Sequence, residues 1–127
     1  MTSRSPIPAA AVKTATTTRN FLLLEYTYVP NIVERRAPHR AAHLAHSDAW
    51  RTRTHAADAN NTDAPSPPLA RIVFGGPTGD PCTGALLAFA DATEDDVRAF
   101  ARADPYAAAG LIAKVDIRPW QCRVSRL

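Results

Sequence analysis

The side chains best suited to chemistry in this 127-residue chain gather between Arg36 and His46. His39, His43 and His46 recur at i, i+4 and i+7. At about 100° per residue they fall within a wedge of about 60° on one helix face. Imidazoles so placed can hold zinc or exchange protons near neutrality. A zinc site wants a further carboxylate or thiolate, and no nearby spacing supplies one, so no metal is expected. Arg40 follows Arg36 by one turn and stands close to His43. There its guanidinium could hold a carboxylate or another anion, or simply sit in water. Asp104 precedes Pro105, where a cap or turn at the head of a short helix over 105–109 is its ordinary use. Tyr26 and Tyr106 can either pack or present a hydroxyl, and packing is the plainer use of Tyr106. Gly75-Gly76-Pro77 reads as a turn. No G-x-G-x-x-G or Walker pattern accompanies it, so no nucleotide loop and no cofactor are expected.

The elements that must position these groups can be read from patterning. Residues 21–29 are aromatic and branched, and Leu22, Leu24, Tyr26 and Tyr28 alternate onto one face of a strand that Pro30 ends. Pro38 suits the first position of a helix reaching about residue 50. Ala41, Ala42, Leu44, Ala45 and Ala49 form its apolar stripe, opposite the histidines. Residues 69–74 and 84–90 read as two strands of a hairpin. Thr93 is a natural N-cap, and Glu94, Asp95 and Asp96 suit the positive end of the helix that follows. That helix should stop before Asp104-Pro105. Residues 111–120 alternate, with Leu111, Ala113, Val115 and Ile117 on one side and Lys114, Asp116 and Arg118 on the other. Trp120, after Pro119, is a packing or interface aromatic. The order β-α-β-β-α-β is the split βαβ, or ferredoxin-like, α+β pattern. Its usual sheet order keeps the third and fourth strands apart, so Cys82 and Cys122 are not expected to pair, which fits an intracellular protein.

Composition narrows the function. The length supports one domain. The hydrophobic fraction of 46% is inflated by 25 alanines. No run of about 18 apolar residues exists, so no membrane partner is expected. The net charge of +3 lies in residues 1–19, where Arg4, Lys13 and Arg19 meet no acid. The other 108 residues hold 12 basic and 12 acidic side chains. A balanced body offers nucleic acid no electrostatic footprint, so none is expected as partner. The tail, with seven Ser/Thr residues, reads as a disordered end or as a mitochondrial address on an otherwise cytoplasmic protein. Residues 51–68 read as a flexible insertion in a single domain covering 20–127.

Several of these segments also fall into a known order. Arg40-Ala41-Ala42-His43-Leu44 lies in the first helix and Gly75-Gly76-Pro77 follows the second strand. The run from Asp104 to Leu111 precedes a final strand closing on Ile117-Arg118-Pro119-Trp120. Together they resemble the YCII-related (YciI-like) family over roughly residues 20–122. Two departures stand out: Ala41 occupies a position where that family usually has proline, and the 51–68 stretch is longer than usual. The resemblance implies a dimeric α/β-barrel protomer that forms a homodimer by sheet-on-sheet packing. It also implies a site of one histidine and one aspartate, His43 and Asp104; Arg40 and Tyr106, read from their own positions, are the substrate-binding candidates beside it. A carboxylate bonded to imidazole fixes its tautomer, and the pair can then move protons.

The functional expectation is a small cofactor-independent enzyme of the lyase, isomerase or dehalogenase kind, acting on a small organic acid or ring compound. The alternatives are a non-catalytic ligand-binding or accessory homodimer with the same pocket, or a purely structural dimer.

Overall fold

A computed structural model describes residues 19–54 and 67–126. The 1–18 tail and the centre of the expected insertion lie outside the described residues. Strand β1 (Arg19–Tyr28) leads to a short helix α1 (Ile32–Arg35), a 3-10 turn (Ala37–His39) and helix α2 (Arg40–Arg51). Strands β2 (Arg71–Thr78) and β3 (Gly84–Ala90) form the hairpin. Helices α3 (Glu94–Ala103) and α4 (Pro105–Ala108) precede β4 (Ile112–Cys122). The sheet is antiparallel with order β2-β3-β1-β4, so β1 is central and separates β3 from β4. This is the ferredoxin-like α+β arrangement read from the sequence. Cys82 and Cys122 are both free thiols.

Local chemistry explains the boundaries. The Thr93 hydroxyl accepts from the Asp96 N–H, and the Asp96 carboxylate accepts from the Thr93 N–H, a reciprocal capping box. The 3-10 turn carries Pro38, which withholds the N–H needed to extend α2 backwards. Gly110, at φ 72°, reverses the chain into β4.

Two expectations need correction. Gly75-Gly76-Pro77 is not a turn. It continues β2, pairing with Leu87, Leu86 and Ala85. β2 is an edge strand, and such a strand tolerates glycine and proline because its outer side makes no ladder. The second correction concerns α2. Its alanine side faces out, with Leu44 49% exposed, while His43, His46, Ser47 and Trp50 turn inward. Alanines bury little area, so exposing them costs little. The larger rings gain more. The Trp50 indole meets the Phe89 and Phe100 rings edge-on, and the His46 imidazole stacks on Phe100 at 4.5 Å while bonding its carbonyl oxygen at 2.9 Å.

The main core lies between the helices and one sheet face and is centred on Leu24, Tyr26, Phe89, Val97 and Phe100. The other sheet face carries a smaller apolar cluster around Phe21, Ala88 and Ala90. Phe21 stacks on Trp120 at 5.6 Å and meets Phe74 edge-on at 6.3 Å. Beside this patch Arg118 bridges Glu25 and Asp116. The Leu69 N–H donates to the Thr54 carbonyl at 3.0 Å, which ties the chain ahead of β2 to the end of α2. No described helix is long and apolar enough to cross a membrane.

Candidate functional site

Asp104 is the only buried charged side chain among the described residues, at 0% exposure. It sits between α3 and α4, at the N-cap of the latter. Three donors surround its carboxylate. The Tyr106 backbone N–H donates to Oδ1 at 2.9 Å, the ordinary capping bond. The Tyr26 hydroxyl, from the central strand, donates to Oδ2 at 2.9 Å. His43 Nδ1, from α2, lies 2.8 Å from Oδ1. These bonds offset the cost of taking a carboxylate out of water.

An ionised carboxylate accepts only, so its contact with His43 puts a proton on Nδ1, and in the neutral imidazole Nε2 keeps its lone pair. The imidazole is clamped from a second direction as well. It lies parallel to the Tyr106 ring, with 3.8 Å between centroids and 4° between planes. The side chain is 12% exposed, so one edge reaches the surface. The Tyr26 hydroxyl has its pKa pushed well above the ordinary phenol value, first by burial and then by the Asp104 charge and hydrogen bond, so it keeps its proton. Tyr28 is also raised, mainly by burial, with the Arg36 charge opposing.

His43 opens onto a cavity of about 720 Å³ between α2 and the β2 edge, a size ordinary for small-molecule sites. Its wall on the sheet side is apolar, formed by Ile72, Pro77 and Leu87. Gly75 and Gly76 belong to the same wall, and a Cβ placed on Gly76 would meet nothing within 4 Å. Three guanidinium groups, from Arg36, Arg40 and Arg51, line the cavity. Arg51 pairs with Asp48 at 2.6 Å, whereas Arg36 and Arg40 form no ion pair with a described residue.

All four candidate residues therefore belong to one place. His43 and Asp104 are in direct contact, Arg40 lines the cavity, and Tyr106 stacks on the imidazole while its backbone holds the carboxylate. The histidines do not act together. His46 is committed to Phe100, and no cluster of three or more metal-ligating side chains exists among the described residues. Sequence reasoning passed over Tyr28 and Ser47. Ser47 follows His43 by four residues, which places it on the same helix face, and that spacing was the available signal.

These features define a class: a ferredoxin-like α+β domain whose buried histidine–aspartate pair opens into a cationic, half-apolar groove. The chain belongs to the YCII-related domain family, which it matches over residues 20–121. Among solved structures it is similar to 5-chloro-2-hydroxyhydroquinone dehydrochlorinase (TftG) from Burkholderia phenoliruptrix AC1100, in complex with 2,5-dihydroxybenzoquinone. The two share 25% identity and a TM-score of 0.57, over 79% of this chain and 92% of that one. No curated protein matches the chain.

Proposed function

We propose that the protein is a small cofactor-independent enzyme that moves a proton on an oxygenated ring compound or small organic acid. The observation that carries this reading is the 2.8 Å contact of His43 Nδ1 with the fully buried Asp104 carboxylate, at the wall of a cavity of substrate size. With Nδ1 committed, His43 Nε2 is the base. Asp104 holds its orientation and balances the imidazolium that forms on proton uptake. Arg40 and Arg36, which form no ion pair with a described residue, supply positive charge for a carboxylate or enolate oxygen.

The reaction type this supports is abstraction of a proton beside a ring carbonyl. The C–H pair becomes a new C=C bond. A halide on the adjacent carbon leaves with its bonding pair, or, without a leaving group, the proton returns at another carbon as isomerisation. The dehydrochlorinase similarity supports the elimination branch and a hydroxylated ring as substrate. The apolar patch of Phe21, Phe74, Leu86 and Trp120 on the open sheet face supports a sheet-on-sheet homodimer as the working form.

The direct assay is chloride release from 5-chloro-2-hydroxyhydroquinone, extended to related halogenated hydroquinones and lactones. His43→Ala is expected to lower kcat/KM by about 10² to 10⁴-fold. Turnover that survives this substitution removes the role given to His43. An absence of turnover together with tight ligand binding would favour a binding protein instead.

A further inference from the structure

Tyr28 ends the central strand, where the pairing of β1 with β4 shifts register between Thr27 and Tyr28. A bulge of this kind raises the local twist and re-aims the side chain beside it. The Tyr28 ring meets Tyr106 edge-on at 5.8 Å, and Tyr106 in turn stacks on His43 at 3.8 Å. The three rings form one row, and all three residues line the cavity. Tyr28 and His43 therefore stand no further apart than those two spacings laid end to end, a gap that a substituted six-membered ring can bridge.

Among the hydroxyls of this wall, Tyr28 has the one a ligand can reach. Tyr106 Oη and Ser47 Oγ are sealed in by packing. Tyr28 Oη has no hydrogen-bond partner among the described residues either, but its oxygen is not sealed. The residue keeps 8% of its surface, and it borders the cavity. Tyr26, two residues earlier on the same face, has its hydroxyl committed to Asp104. Arg36, from the segment that follows β1, borders the cavity beside Tyr28. Burial first, then Tyr106 and Asp104 nearby, push the Tyr28 pKa well above the ordinary phenol value, with the Arg36 charge opposing. The phenol therefore keeps its proton at neutral pH and meets an anion as a donor.

Proton abstraction beside a ring carbonyl sends the C–H pair into a new C=C bond and the carbonyl π pair onto oxygen. We propose that Tyr28 Oη donates a hydrogen bond to that developing enolate oxygen, with the Arg36 guanidinium beside it, while His43 Nε2 takes the proton from carbon. No bond of the phenol forms or breaks. When a halide leaves with its bonding pair, the pair on oxygen returns to the carbonyl. A donor aimed at charge that appears during the reaction lowers the barrier more than it tightens ground-state binding. The inference rests on the proposed proton-transfer function and deepens it by naming the group that receives the charge.

The test is calorimetric titration of the full chain with 4-nitrophenol and 4-nitrotoluene, in mildly alkaline buffer where the phenol is ionised. The probes share a ring and a nitro group, and they differ in a phenolate oxygen against a methyl group. Tyr28→Phe is expected to weaken the phenolate by about ten- to a hundredfold and leave nitrotoluene unchanged. The variant should unfold at the wild-type temperature or above, because it removes a hydroxyl with no partner in the free protein. In chloride release from 5-chloro-2-hydroxyhydroquinone the same substitution should lower kcat by about 10² to 10³-fold and change KM far less. An unchanged phenolate affinity, an equal loss for both probes, an unchanged kcat in an enzyme that turns over, or a clear drop in unfolding temperature would overturn the role of Tyr28. In each of those cases the anion pocket stands if Arg40→Ala still weakens the phenolate. Turnover that survives His43→Ala strikes the proton transfer and with it the enolate role. Failure of wild type to bind either probe at millimolar concentration would overturn the Tyr28 role and the small-molecule pocket together.

Discussion

Asp104 shows how one side chain serves two purposes. A cap for the helix after it and a partner for His43 look like rival explanations in the sequence, yet the same Oδ1 does both, while Oδ2 receives Tyr26. Removing it should therefore cost more than a cap alone. Asp104→Ala strands the Tyr26 hydroxyl, the Tyr106 N–H and the imidazole N–H at once. The expected loss is roughly 3 kcal/mol, read by urea denaturation. Tyr26→Phe removes one donor and should cost only about 1 kcal/mol. A loss for Asp104→Ala no greater than that of an ordinary N-cap would show that the buried network adds nothing. His43 and Asp104 stand 61 residues apart. Nothing in their spacing joins them, and only the resemblance to a family placed them together before the fold was seen.

At the scale of elements, most boundaries were legible because their causes are local. Thr93 with Asp96 closes the N-terminus of α3, and Thr93→Ala should destabilise by about 1 kcal/mol in the same assay. The inward face of α2 was not legible. Alanine periodicity pointed to one side, and the histidine and tryptophan side is the one that packs, because ring stacking and satisfied imidazoles outweigh a stripe of methyl groups. The Gly75-Gly76 stretch misled for a related reason: glycine marks a turn only where no neighbouring strand claims its backbone, and β3 claims this one. Gly84 carries the opposite lesson. A Cβ there would stand 2.3 Å from the Tyr26 carbonyl oxygen on β1. Gly84→Ala should force β3 off β1 beside the Asp104 network and cost about 1–3 kcal/mol, with a matching loss of proton-transfer activity. Wild-type stability in that variant would mean the strands part without penalty.

For the whole molecule, the tyrosines impose a pH limit. Tyr26 and Tyr28 ionise near 10.0 when unfolded and are pushed well above that value in the fold, chiefly by burial. The unfolded chain therefore loses protons that the native state keeps once pH exceeds 10. Their contribution is full below that pH and falls above it by about 1.4 kcal/mol per pH unit for each tyrosine. Urea midpoints taken at pH 9, 10 and 11 should show the decline, and Tyr28→Phe should roughly halve the slope. A flat profile would place both phenols in water. The proposed homodimer is checked by light scattering, where a monomer at micromolar concentration would contradict it.

The order of elements, the fold class and the concentration of positive charge in residues 1–19 follow from the amino-acid sequence by itself. Each depends on neighbours in the chain: alternation, caps, prolines and local composition. The meeting of His43 with Asp104, the stacking of Tyr106 on that imidazole and the gathering of Arg36, Arg40 and Ser47 around one cavity were decided only by the tertiary structure. These are contacts between distant segments. Which partner a polar side chain finds depends on what the packed sheet and helices bring within about 3 Å of it, and no local pattern encodes that.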